Sequence, residues 1–198
     1  KGRGKANPAG VRHIHKYIKE IGQLWVSDTA DYRFKASTDS SLKFQSLDKT
    51  FKHILIVVDS FSSYIFARAL KNNTGEETAK AFKEILDEAK ELYPKLRVQR
   101  LQTDHGSEYL NSKFFDFLKS ENIAMNPQVT SAPVPQAEAG VASIRRILTK
   151  MTSMLQDQSK WADYLPVAVE HYNKTPTTRL IAMKRFLSET DQAKLKNS

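Results

Sequence analysis

Apolar and polar positions divide the first third of the chain into three strands. Residues 24–32 alternate loosely between apolar and polar side chains, which predicts a first strand. Residues 51–59 contain five consecutive aliphatic side chains, which predicts a central strand buried on both faces of a sheet. Residues 64–70 follow a short polar turn and predict a third strand, so that the three form an antiparallel meander.

The pattern then alternates between helices and short strands. Helical spacing of apolar residues over 74–93 and 112–118, with Thr74 and Ser112 as caps, predicts two helices. Short strands are predicted over 97–103 and 123–126. A proline-containing loop follows, and the last predicted helices cover 137–155, 161–173 and 182–187. A meander followed by such alternation favours a mixed α/β sheet with helices on its faces.

The charge balance indicates a polyanionic partner. Lys and Arg number 31 against 22 Asp and Glu, which gives a formal net charge of +9. Residues 1–20 carry six basic residues and one acidic residue, so we predict a basic arm over 1–21, or else a solvated terminus without function. The chain has no cysteine and no apolar run of membrane-spanning length, so we expect neither thiolate metal sites nor a membrane partner.

Two aspartates are the first candidates for chemistry. Asp28 lies in the first predicted strand, and Asp104 ends the strand after the first helix. Ligands of open α/β sheets bind outside the carboxyl ends of strands, which is where Asp104 is expected. Asp31 and Asp59 compete with them, but Asp59 is better explained as a turn former whose side chain bonds its own backbone.

Five segments in collinear order resemble the catalytic core of retroviral-type integrases. They are Trp25 to Asp28, Ile54 to Leu70, Gln102 to Tyr109 with its Thr-Asp-x-Gly-Ser motif, the helix that begins near Pro135-Gln136, and Trp161 to Phe186. Their spacing is most similar to integrases of retrotransposons and of Polinton/Maverick elements. The resemblance implies an RNase H-like fold, with a mixed five-stranded sheet flanked by helices. It also implies a catalytic core over 22–190, followed by a tail over 191–198.

The resemblance further implies a triad of two aspartates and one glutamate that binds two divalent cations, Mg²⁺ or Mn²⁺. By position, Asp28 and Asp104 are the implied catalytic residues and metal ligands. Ala142 stands where the family has its glutamate. Glu138, one helical turn earlier on the same face, is either a substitute ligand or a first-turn acid that the helix dipole favours. We expect Ala142 to inactivate the site, by deliberate substitution or by natural decay.

Basic residues follow the third position of the triad. Arg145, Arg146 and Lys150 come three, four and eight positions after Ala142, and they predict either a strip that binds DNA phosphates or a solvated polar face. Gln136 and the preceding proline-containing loop resemble the mobile active-site loop of the family, which contacts DNA.

The function implied by the resemblance is DNA integration, by metal-dependent end processing and strand transfer in a transposable element. The alternative is a domesticated, catalytically dead module for DNA binding or dimerisation, while a different RNase H-like nuclease is disfavoured by the collinear C-terminal helices. Expected partners are element ends, target DNA and a second copy of the chain, in a homodimer or higher multimer. Apolar residues of the helix over 161–173 serve dimerisation or pack the core. No small-molecule cofactor is expected, and the protein is expected to be made in the cytoplasm and to act in the nucleus.

Overall fold

A computed structural model describes residues 18–32, 50–104, 106–127, 135–154 and 161–175. The strands in this part of the chain are β1 (Trp25–Asp31), β2 (His53–Asp59), β3 (Ile65–Leu70), β4 (Arg100–Thr103) and β5 (Ala124–Pro127). The helices are α1 (Gly75–Leu92), α2 (Ser112–Ser120), α3 (Pro135–Met154) and α4 (Trp161–Lys174). The first 17 residues of the predicted arm, the predicted helix over 182–187 and the tail lie outside the described residues.

The five strands form one sheet in the order β3-β2-β1-β4-β5. The first three strands pair antiparallel, whereas β4 pairs parallel with both β1 and β5. This confirms the predicted mixed five-stranded sheet flanked by helices.

Each face of the sheet carries its own apolar core. The front face, which α3 and α4 cover, includes Val26 and Ile56. The back face, which α1 and α2 cover, includes Trp25 and Val57. Because neighbouring residues of a strand point to opposite faces, the continuous apolar run of β2 supplies both cores, as predicted. Ile18, from the predicted arm, is buried in the front core.

Several boundaries differ from the sequence-based expectation. Helix α3 begins at Pro135, although the sequence predicted a loop up to residue 136 and a helix from residue 137. Strand β4 begins at Arg100 rather than at residue 97, because the preceding residues run beside the turn at Gly22, where the Gln99 N–H donates to the Gly22 carbonyl. The cap of α2 is Asn111 rather than Ser112, since the Asn111 side chain accepts from the Phe114 N–H.

Helix α3 approaches the sheet closely at Gly140. A Cβ at this position would lie 3.2–3.3 Å from side chains of Ile56, Val58 and Ile65, so glycine fixes how near the helix lies to β2 and β3. In α4, Trp161 and Leu165 belong to the front core, whereas Val167 is 49% exposed. Within the described residues, no helix combines the length and the apolar character needed to cross a bilayer.

Candidate active site

Asp28 lies on the front face of β1, between Val26 and Ala30 of the front core. The pKa of its carboxyl group is raised from 3.8 to about 6, first by burial and next by the charge of Asp104. The charges of Glu138 and Glu108 raise the pKa of Asp28 further, while a hydrogen bond from the Thr29 backbone lowers it. The charges of three other carboxylates therefore act on Asp28.

Asp104 comes level with Asp28 because β1 and β4 are parallel neighbours. Val26 pairs with Gln102, so Asp28 and Asp104 each come two residues after the last paired residues of the two strands, and the charge of Asp104 acts on Asp28. Asp104 directly follows β4, and its Oδ1 accepts the Gly106 N–H at 3.0 Å. The two aspartates that the sequence singled out are thus brought together, Asp28 within β1 and Asp104 at the carboxyl end of β4.

Ala142, predicted as the third position of a triad, lies on a stripe of α3 that runs beside β1, since Glu138 acts on Asp28 through its charge and Arg145 donates to the Asp31 carbonyl. Glu138, Ala142 and Arg145 share this stripe at helical spacing. Gly140, on the side of α3 that packs on the sheet, lies against Ile56, the residue of β2 that pairs with Asp28. The side chain of Ala142 is exposed and supplies no oxygen. Glu138 is also exposed, in the first turn of α3, and acts on Asp28 through its charge.

The predicted DNA-binding residues occupy different environments. Arg145 is half-buried: its guanidinium donates to the Asp31 carbonyl and lies 5.8 Å from the ring centroid of Tyr32. Arg146 and Lys150 are exposed. Gln136 is half-buried at the start of α3, where its Nε2 donates to the Ser60 carbonyl at 3.3 Å. A role in DNA binding stays a prediction for all four residues.

Asp59 is the turn former that the sequence predicted. Its Oδ1 accepts the backbone N–H groups of Phe61 and Ser62 and the Ser62 hydroxyl. Its Oδ2 accepts the Gly22 N–H at 2.8 Å, and the residue is only 2% exposed. The carboxylate is therefore occupied by the protein itself.

Sequence reasoning missed Glu108 as a member of this acidic group. Glu108 is only 6% exposed, and the Thr29 hydroxyl donates to its Oε1. The residue lies within the motif that carries the family resemblance, but nothing in the sequence shows that its side chain folds back toward β1. A glutamate between polar turn residues is ordinarily solvated.

The donor chemistry of this group suits a divalent cation. None of the ion pairs in the described part of the chain involves Asp28, Asp104, Glu108 or Glu138. Closely spaced carboxylates without a cationic partner disfavour one another's ionised forms, and hard oxygen donors prefer Mg²⁺ or Mn²⁺. The donor chemistry of these carboxylates therefore fits a divalent cation. The described residues nevertheless include no set of three His, Cys, Asp or Glu side chains already arranged around a metal position.

The family is established by a match to the model for the integrase core domain. The match covers residues 19–133, which is more than half of the chain and includes Asp28 and Asp104. The chain belongs to the integrase core domain family.

Two related sequences are Pro-Pol polyproteins of Simian foamy virus type 1, 29% identical over 119 residues, and of Simian foamy virus type 3 (strain LK3), 28% identical over 119 residues. These alignments cover 58% of this integrase core chain but only 9% of each polyprotein.

Solved structures confirm the RNase H-like integrase fold. The HTLV-2 integrase catalytic core domain in complex with magnesium, in its dimeric form, superposes with a TM-score of 0.59 at 21% identity, over 80% of this chain and 94% of that one. Its trimeric form gives a TM-score of 0.53 at 21% identity, over 76% and 81% of the two chains. The simian T-cell lymphotropic virus intasome in complex with PP2A regulatory subunit B56 gamma gives a TM-score of 0.59 at 18% identity, over 79% of this chain and 50% of that one.

Proposed function

We propose that this chain is the catalytic core of an integrase or transposase that processes DNA ends and joins them to target DNA. The observation that carries the proposal is the closeness of two carboxylates, Asp28 on β1 and Asp104 directly after the parallel strand β4, in a chain of the integrase core family. The spacing of its motifs supports an origin in a retrotransposon or Polinton/Maverick element. As a polynucleotidyl transferase, it would act on phosphodiesters of element ends and target DNA.

Asp28 and Asp104 are the proposed metal ligands, in a site for two Mg²⁺ or Mn²⁺ ions. Such ions activate an attacking oxygen and stabilise a leaving oxygen at a phosphodiester. The chain itself supplies the two carboxylates, fixes one on β1 and holds the other in the turn after β4. The magnesium in the related HTLV-2 catalytic core supports this cofactor.

We further propose that Ala142 leaves this site without its third carboxylate. Ala142 lies on the α3 stripe beside Asp28 but carries no oxygen, and Glu138 begins one turn earlier on the helix. Mg²⁺ requires oxygen ligands within a narrow range of distance, so a ligand offset by one turn is a poor replacement. The chain as given would therefore bind metal weakly and catalyse poorly.

DNA is the proposed partner of the surface next to Asp28 and Asp104. Exposed Arg146 and Lys150 lie on α3 beyond the third triad position and suit phosphate contacts. Gln136 begins α3, and Arg145 contributes by holding α3 against the end of β1. Because the proposed substrate includes chromosomal target DNA, we propose that the protein acts in the nucleus.

A second copy of the chain is the other proposed partner. A groove of about 730 Å³ runs between β3, α1 and α4, with apolar lining from Leu92 and Val169, and Val167 is exposed nearby. The dimeric and trimeric forms of the HTLV-2 catalytic core support a homodimer or higher multimer.

The second candidate function is a domesticated module that binds DNA or dimerises without catalysis. The observation that favours it is the alanine at position 142, because loss of one ligand is also what natural decay would produce. The intact Asp28 and Asp104 favour the first candidate.

A titration with Mn²⁺, followed by electron paramagnetic resonance of the free ion, tests the metal site. We expect weak binding by the parent chain, stronger binding by Ala142→Glu, and loss of that binding when Asp28→Asn or Asp104→Asn is added. Asp116→Asn, an exposed aspartate of α2, is the matched control and should change nothing. Equal binding by the Asp28→Asn and Asp116→Asn variants would contradict the proposal.

A further inference from the structure

Two consecutive residues after β4 bond two alternate residues of β1. The Tyr109 hydroxyl lies 2.9 Å from the Ser27 Oγ, and the Thr29 hydroxyl donates to Glu108 Oε1. Ser27 and Thr29 flank Asp28 in sequence and point to the back face of the sheet, since Asp28 points to the front. The pair of bonds therefore holds β1 on both sides of Asp28. We call Ser27, Thr29, Glu108 and Tyr109 the back-face clamp.

The proton positions in the clamp follow from its hydrogen bonds. The Ser27 hydroxyl donates its one hydrogen to the Ile56 carbonyl at 3.0 Å, so the Tyr109 hydroxyl must donate to Ser27. Burial and the nearby carboxylates raise the pKa of Tyr109 well above its usual value, which keeps the hydroxyl a donor. Ile56 is the residue of β2 that pairs with Asp28. The Tyr109 hydroxyl is thus linked, through Ser27, to the strand pair that carries Asp28.

The same segment also supports the turn that carries Asp104. Gly106 donates its N–H to Asp104 and accepts the Tyr109 N–H at its carbonyl, at 3.0 Å in each case. A Cβ at Gly106 would lie 2.5 Å from Glu108 Oε2, so the Glu108 carboxylate packs directly against this glycine. The clamp therefore connects β1 to the backbone immediately after Asp104.

Strand pairing alone does not extend to the two aspartates. The paired residues of β1 and β4 are Trp25 with Leu101 and Val26 with Gln102, which end two positions before Asp28 and Asp104. Polar groups in the clamp are costly to bury, and Ser27 and Tyr109 are fully buried among the apolar residues of the back face. Apolar side chains would pack there without that cost, but they would not fix one geometry.

We propose that Glu108 and Tyr109 are positioning residues that hold Asp104 at a fixed separation from Asp28, and so set the spacing of the carboxylates that receive the divalent cation. This inference rests on the proposed function. The Thr29 and Tyr109 hydroxyls lie on the back face of the sheet and act on the metal site through the strand and the turn, whereas Glu108 also acts on Asp28 through its charge.

The test compares Mn²⁺ affinity in variants that remove one hydroxyl each. Thr29→Val and Tyr109→Phe keep the size of the side chain and should weaken Mn²⁺ binding about tenfold, as loss of an outer-shell hydrogen bond does. Thr29→Ser, which keeps the hydroxyl, should retain the parent affinity. Thr78→Val and Tyr172→Phe are the matched controls, because Thr78 is buried on α1 and Tyr172 is half-buried on α4, away from the clamp. Circular dichroism checks that every variant is folded.

The outcomes separate this inference from the proposed function. Unchanged affinity in Thr29→Val and Tyr109→Phe, with binding still abolished by Asp28→Asn, would overturn the clamp alone. Equal weakening in the Thr78→Val and Tyr172→Phe controls would also overturn it, because the effect would then be one of general stability. If Mn²⁺ binding does not depend on Asp28 in any background, the proposed metal site fails and the clamp inference fails with it.

Discussion

Asn173 near the end of α4 bonds both backbone groups of Ile65 on the edge strand β3. Its side-chain oxygen accepts the Ile65 N–H at 2.9 Å, and its side-chain nitrogen donates to the Ile65 carbonyl at 2.8 Å. Farther along the same strand, the Arg68 guanidinium donates to the Ala67 carbonyl. Exposed edges of sheets invite pairing with other chains, so these side chains close part of the edge while fixing α4 against β3.

We predict that Asn173→Ala destabilises the fold by about 1–3 kcal/mol, because it leaves two backbone groups of Ile65 without their partner. Urea unfolding measures the change. Lys174→Ala is the neighbouring control; it breaks only an exposed ion pair with Glu170 and should leave the free energy of unfolding nearly unchanged. Equal effects of the two substitutions would contradict the assignment of Asn173 as the residue that closes the edge.

The close approach of α3 to the sheet predicts a strong effect of side-chain size at Gly140. Gly140→Val should destabilise the fold by about 1–3 kcal/mol, because its Cβ already reaches the side chains of Ile56 and Val58 and the added methyl groups overpack the interface. Ala139→Val changes an exposed position of the same helix. It should lower the free energy of unfolding by only a few tenths of a kcal/mol, the difference in helix propensity between Ala and Val. Similar losses of stability for the two variants in thermal unfolding would contradict the close packing of α3 on the sheet at Gly140.

The raised pKa of Asp28 predicts how stability changes with pH in the absence of metal. In the unfolded chain the group titrates near 3.8, and in the folded chain at about 6. Between these values the folded state binds more protons than the unfolded state, so stability falls as pH rises through this window. The penalty is complete above pH 6 and absent below about 3.8.

Asp28→Asn should remove this penalty. With EDTA present, we expect the variant to be more stable than the parent chain by about 1 kcal/mol at pH 7.5, after allowance for solvent screening, which is about 2–4 °C in Tm. The difference should shrink as the pH is lowered toward 4. Calorimetry at several pH values measures it, with Asp116→Asn as the exposed control. A stability difference that does not depend on pH would contradict the assigned environment of Asp28.

The basic residues of α3 should separate into two classes. Arg146→Ala and Lys150→Ala remove exposed charges and should weaken DNA binding for every sequence, each lowering the salt slope of the affinity by about 1. Arg145→Ala should mainly lower stability, because Arg145 holds Tyr32 and the Asp31 carbonyl at the end of β1. Fluorescence anisotropy at several salt concentrations measures DNA binding by each variant. Thermal unfolding measures the stability of each variant. A lower salt slope in Arg145→Ala, with unchanged salt slopes in Arg146→Ala and Lys150→Ala, would contradict this division.

Local pattern predicted the elements of the fold well, because each element carries its own signal. The aliphatic run of β2 and the Thr74 cap of α1 are examples, and both are confirmed. The predicted topology of the sheet brought Asp28 and Asp104 together, and the family resemblance supplied their expected role, which no local pattern contains. Neither source could show that Arg145 folds onto Tyr32 or that Glu108 turns back toward Thr29, because those contacts join residues far apart in sequence.

We propose that Ala142 alone separates this chain from an active integrase core. Metal-dependent strand joining on a branched DNA tests it, with the parent chain, Ala142→Glu and the uncharged control Ala142→Gln compared side by side in Mn²⁺ and Mg²⁺. We predict that Ala142→Glu is active, at least about a hundredfold above the other two, the scale on which one preorganised electrostatic group acts. Activity of the parent chain equal to that of Ala142→Glu, or inactivity of all three proteins, would contradict the claim.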